Sequence, residues 1–186
     1  MLRFPTGCNT DSVQVVGVGA ATLDDLWLVD DFLNEEAVHQ ALGHITMGGG
    51  PVATSLCVLS RLGHKAALVD TCGDDPAGRA ILASLSVEGV NTTWIHCAPG
   101  RISATAIVLV RADDGARQIV YQPSSAAEPT VDSKLTEVIA GAQLLHLNGR
   151  HESTARACIE IAQSADLLIS YDGGAGRYRD SIRDRG

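Results

Sequence analysis

GGGPVATSLCVLSRLG, residues 48–63, followed by HKAALVDTCGDDPAGRAILASLSVEGV, residues 64–90, decides the fold class of this chain. Pro51 directly after three glycines suits a first helical position, where its missing N–H costs nothing. Val52, Leu56, Leu59 and Leu62 then recur at spacings of three and four, and Gly63 follows as a stop. Lys65–Asp70 (KAALVD) reads as a short buried strand. Asp75-Pro76 supplies an N-cap and a first helical residue, Ile81, Leu82 and Leu85 an apolar stripe, and Gly89 an end. Helix, strand and helix thus follow each other with short connections.

Upstream, Val13–Gly19 (VQVVGVG) is a β-branched strand bounded by polar residues and glycine. Leu26–Val29 reads as a short strand with acidic ends, and Ala41–Met47 as a weaker one. Downstream, Ala104–Arg111 and Arg117–Tyr121 flank Asp113-Asp114-Gly115, a hairpin turn signal. A helix near Asp132–Ala140, the strand Gln143–Leu147, a helix from about Ser153 to Gln163 and the strand Asp166–Tyr171 complete the order. This alternation is the βαβ rhythm and predicts an α/β fold with a parallel sheet covered on both faces. The strands around Leu26 and Ile45 and the 104–121 hairpin are additions to that sheet.

Composition narrows the function classes. The 186 residues are 45% hydrophobic and 19% charged, which describes a globular chain with a sizeable core. A net charge of −8 argues against nucleic acid or an anionic membrane as the main partner. No apolar run is long enough to span a bilayer, and the first twelve residues lack the apolar core of a secretory signal. Five cysteines, odd in number and without a CxxC pair, fit a reducing cytoplasm with most of them acting as small core residues. No spacing of histidines and cysteines supports a zinc site.

Several features could carry chemistry. Glycines 48–50 before a helix expose backbone donors to an anion or a polyhydroxylated ligand, or simply lead flexibly into that helix. Asp24 after the first strand could grip a sugar diol through both oxygens, or merely end a strand at the surface. Gly17–Thr22 lacks the last glycine of a dinucleotide fingerprint, and no helix signal follows it. Gly73–Gly78 has Walker spacing, but Arg79 stands where Lys is required. His146 reads as a core or edge residue and His151 as a solvated helix start. No GxSxG elbow offers a nucleophile.

Taken together, the stretches 48–63 and 69–90, with VVGVGAATLDDLWLVD before them and RISATAIVLVRADDGARQIVY, LLHLNG and ISYDGGAGR after them, resemble the PfkB-type carbohydrate kinases, the ribokinase-like family. The resemblance runs from about Val13 to Arg177. It implies a three-layer α/β/α fold with a mostly parallel central sheet and a small β lid drawn from about 24–47 and 104–121. Residues 1–186 would then be an incomplete kinase domain, with the C-terminal part of the fold missing. The resemblance places Asp24, Gly49, Gly50, Thr54 and Asn148 at the sugar, and Asp172 and Arg177 on the phosphate and metal side. ATP and Mg²⁺ are the implied cofactors, a small sugar the substrate, and a homodimer through the lid the implied assembly.

Departures accompany it. Thr54 stands where the family usually has Asn, and Asn148 where some members have an acidic contact. The signature DTxGAGD, which supplies the anion hole and the base, is absent; Gly174-Ala175-Gly176 is followed by Arg177. No catalytic residue is therefore expected here, and the base is expected beyond Gly186. The expectation is ATP-dependent phosphorylation of a sugar hydroxyl by a truncated form whose activity alone is doubtful. The alternatives are a non-catalytic sugar-binding or dimerising module and a dinucleotide-binding domain.

Overall fold

The computed structural model describes residues 12–32, 36 and 38–173. In chain order the elements are β1 (Val15–Val18), β2 (Thr22–Val29), β3 (Gly43–Gly49), α1 (Pro51–Arg61), β4 (Ala66–Gly73), α2 (Pro76–Val87), β5 (Ile95–Ala98), β6 (Thr105–Arg111), β7 (Arg117–Gln122), α3 (Ser133–Ala140), β8 (Leu144–Leu147), α4 (Glu152–Ser164) and β9 (Leu168–Tyr171). Five strands make an all-parallel sheet in the order β5-β4-β1-β8-β9. Four others form a second sheet, β3-β2-β6-β7, in which β2 pairs antiparallel with β3 and parallel with β6.

Alternation along β1 explains the three layers. Val15 and Gly17 face α1, whereas Val16 and Val18 face the layer of α3 and α4. One core joins Val15, Leu68 and Cys72 to Val52 and Leu56 of α1 and Ile81 and Leu85 of α2. The other joins Val16, Val69, Leu145 and Leu147 to Leu135, Ile139 and Cys158. Gly17 lets α1 lie directly on the sheet, since a Cβ there would stand 2.6 Å from Val52 Cγ1 and 2.7 Å from Leu56 Cδ1.

The caps follow the expected chemistry. Asp75 accepts from the Gly78 N–H at 2.8 Å and starts α2; Asp132 does the same for α3 from the Leu135 N–H at 2.8 Å. Helix α4 is capped from outside, with Glu128 Oε2 accepting from the Ser153 N–H at 2.9 Å. The expected ribokinase-like α/β/α fold with an appended small sheet is what forms. Two expectations need correction. Asp24 and Asp25 do not end a strand: β2 begins at Thr22 and runs through both. The edge strand β5 has no counterpart among the predicted elements.

Candidate functional site at the base of the small sheet

The loop leaving β1 crosses to the small sheet, and the residues flagged in the sequence gather around that crossing. Asp24 is the third residue of β2, opposite Met47 of β3 and Ala106 of β6. Its carboxylate lies over Gly49: a Cβ on Gly49 would collide with Asp24 Oδ2 and stand 2.5 Å from Cγ. Asp24 Oδ1 is buried and has no hydrogen-bond partner among the described residues. A buried acceptor without a donor costs about 1–3 kcal/mol, so this oxygen is set up to receive a donor from elsewhere.

The two glycines have separate jobs. Gly49 makes room for the Asp24 carboxylate. Gly50, the N-cap of α1, has φ +94° and leaves no space for a side chain against the Ala20 carbonyl. Asn148, one residue after β8, lies against Gly19, where an added Cβ would be 2.5 Å from Asn148 Oδ1. That oxygen accepts from the Arg150 N–H at 3.3 Å. Asp172 follows β9, and its N–H donates to the Leu147 carbonyl at 2.8 Å. Thr54 is exposed on α1 and lines a groove of about 430 Å³ with Thr46, Gly49, Cys57 and Ser84; neither Asp24 nor Asn148 lines that groove. Thus Asp24, Gly49 and Gly50 come together, Asn148 sits by the β1 end, and Thr54 shares its groove with Gly49 and not with Asp24. Arg177 lies outside the described residues.

One site element was not expected. Asp70, 3% exposed in β4, accepts from the Ala21 N–H at 2.7 Å through Oδ2 and from the Thr71 N–H at 2.7 Å through Oδ1. His151 Nε2 lies 2.6 Å from the same Oδ1. A carboxylate only accepts, so the imidazole donates through Nε2–H. His151 is buried, in left-handed conformation at φ 57°, at the start of α4. This corrects its expected place as a solvated residue: the buried carboxylate draws the ring inward. Asp70 therefore ties the loop that leads to Asp24 to both β4 and α4. The one sequence signal was a charged residue inside an otherwise apolar strand.

His146 is buried as expected, with Nδ1 3.1 Å from Ser170 Oγ. Burial pushes its imidazole below the ordinary value, against the opposing pull of Asp172 and Ser170. Among the described residues no three His, Cys, Asp or Glu side chains stand together in a way that could hold a metal ion.

Comparison with known proteins agrees with this fold. The chain is 36% identical to fructokinase-1 of Zea mays over 134 residues, 67% of this chain and 41% of that protein. It is 30% identical to a fructokinase of Solanum tuberosum over 141 residues, 72% of this chain and 44% of that protein. The chain thus spans less than half the length of these two relatives. The fold matches the solved Arabidopsis thaliana ribokinase complexed with ribose and ATP, with a TM-score of 0.75 at 20% identity, covering 88% of this chain and 54% of that one. It also matches the Cryptococcus neoformans ribokinase in complex with ADP, with a TM-score of 0.76 at 18% identity, covering 93% of this chain and 55% of that one. Residues 13–181 match the pfkB family carbohydrate kinase as a family, and the chain belongs to it.

Proposed function

We propose that this chain is the sugar-holding part of a cytoplasmic enzyme that transfers a phosphoryl group from ATP to a sugar hydroxyl. The observation that carries this reading is Asp24: a buried carboxylate oxygen with no donor among the described residues, over a glycine that leaves it space. Two neighbouring sugar hydroxyls can both donate to one carboxylate, which orients the ring and fixes which hydroxyl points outward. The backbone at Gly49 and Gly50 would line the sugar, with Asn148 as a further polar contact and Thr54 at the margin. Asp172 and Arg177 are assigned to the phosphate side. Phosphoryl transfer is governed by positioning and charge stabilisation, so the part played by these residues is to hold the acceptor still. The 186 residues contain no DTxGAGD motif.

The test is Asp24→Asn in the complete enzyme, assayed with a panel containing fructose and ribose. The amide keeps the size but loses the charge and one acceptor. Sugar KM should rise at least tenfold with ATP KM unchanged, about 1.4 kcal/mol or more of binding. An unchanged sugar KM removes Asp24 from the site.

A second reading, a sugar-binding and dimerising module, is favoured by one face of the small sheet. Leu28, Ile45, Met47, Ile119 and Tyr121 share the face of Asp24 and are all exposed. A second copy laid on this face would cover it. Ile45→Asp should then convert a dimer to a monomer in sedimentation; a wild-type monomer would refute the assembly.

A further inference from the structure

A pair of thiols faces each other outside the residues proposed to hold the sugar. Cys72 of β4 and Cys97 of β5 are register partners on adjacent parallel strands, and their Sγ atoms are 3.4 Å apart. Both are free thiols. A disulfide needs a sulfur separation of about 2.05 Å, so the bond requires an approach of little more than 1 Å between side chains already facing each other. Their surroundings differ. Cys97 is exposed on the edge strand, within reach of a soluble reagent. Cys72 is 3% exposed, inside the core formed with α1 and α2.

We propose that Cys72 and Cys97 are a redox-active dithiol, Cys97 being the thiol that a low-molecular-weight disulfide modifies and Cys72 the thiol that resolves the adduct. In the first step the Cys97 thiolate attacks one sulfur of the small disulfide and displaces the other as a thiolate. A mixed disulfide on Cys97 results. In the second step Cys72 gives its proton to water, and its thiolate attacks Cys97 Sγ. The Cys72–Cys97 bond forms and the second small thiolate leaves to take up a proton. Two protein thiols are oxidised by two electrons, and one small disulfide is reduced to two thiols.

The division of labour has a chemical basis. Burial, with the neighbouring Cys97, Asp70 and Asp75, pushes the Cys72 thiol up to about 12, so it is a poor first nucleophile and a slow resolver. Cys158, fully buried and pushed up to about 11 by burial alone, and the half-buried Cys57 serve as internal controls.

The test uses the native protein, reduced, freed of reductant and incubated with glutathione disulfide. Peptide mapping should find Cys72 linked to Cys97, with Cys57 and Cys158 still alkylatable. Link formation should quicken as the pH is raised, and dithiothreitol should reverse it. Cys72→Ser should stop at a glutathione adduct on Cys97. Cys97→Ser, a change at an exposed position, should leave Cys72 unmodified. A wild-type protein that keeps a lasting glutathione adduct on Cys97, one that does not react, or one that links Cys57 or Cys158 overturns the proposal.

Discussion

Removing the Asp70 carboxylate tests how the crossing loop is held. Three donors converge on it: the Ala21 N–H on Oδ2, the Thr71 N–H and His151 Nε2–H on Oδ1. Asp70→Ala leaves all three in a site that is 3% exposed at Asp70 and 7% at His151. Leaving three buried donors without an acceptor costs at least about 3 kcal/mol, which for a chain of this size lowers Tm by roughly 6 °C or more. Asp70→Asn separates charge from shape. Its single oxygen placed at Oδ1 keeps Thr71 and His151 but turns an NH₂ against the Ala21 N–H, so one donor is lost and about 1–3 kcal/mol with it. Flipped, it loses two. Urea unfolding of wild type, both variants, His151→Ala and the double Asp70→Ala/His151→Ala completes a double-mutant cycle. Asn is expected to fall between wild type and Ala, with a coupling of at least about 1 kcal/mol to His151. An Asp70→Ala loss under about 1 kcal/mol, or zero coupling, would refute the account of this node.

Two further outcomes follow from the geometry. Gly49→Ala sets a Cβ 2.5 Å from Asp24 Cγ, so the carboxylate must retreat by close to 1 Å; the complete enzyme should show a sugar KM raised tenfold or more, while urea stability falls by no more than about 2 kcal/mol. An unchanged KM would refute that contact. Partial burial works to raise the Asp75 carboxyl, but donors from Ser103 and Gly78 outweigh it and hold the group below its ordinary 3.8. Its stabilising contribution is therefore complete above that value and lost as pH falls through the lower, folded one. Asp75→Ala should cost about 1 kcal/mol at neutral pH and flatten the acid limb of the stability curve below about pH 4. An acid limb of unaltered slope would count against the cap.

The βαβ order was legible because α1, α2 and β4 carry their signals locally: proline after glycine, Asp-Pro, and apolar spacing that matches one face. The small sheet was harder. Asp24-Asp25 looked like a strand terminator, since Asp is depleted in strands. In β2 those carboxylates have uses: Asp25 accepts from Thr46 Oγ1 at 2.5 Å on the neighbouring strand, and Asp24 faces Gly49. Strand β5 has four residues, of which His96 and Cys97 are exposed, too short and too polar to show a period. Local chemistry singles out Asp24 and glycines 48–50, the resemblance assigns Asp24, Gly49 and Gly50 to the sugar, and their clustering is visible only in three dimensions. Asp70 and His151 lie 81 positions apart, so nothing local could announce their pairing.

The parallel pairing of β2 with β6 also orders the events of folding. Leu23 meets Thr105 and Leu28 meets Val110, with β3, α1, β4, α2 and β5 all lying between them in the chain. During synthesis the β2–β3 hairpin emerges early, yet one of its edges waits for a strand translated much later. Closing so long a loop is entropically costly unless the intervening helices and strands have already folded. The elements between them, α1, β4, α2 and β5, are therefore expected to fold first and bring β6 to β2. Asp24 then acquires its full surroundings, Ala106 included, only once β6 has docked. Pulsed hydrogen exchange should find the β2 amides protected together with those of β6, after those of β4.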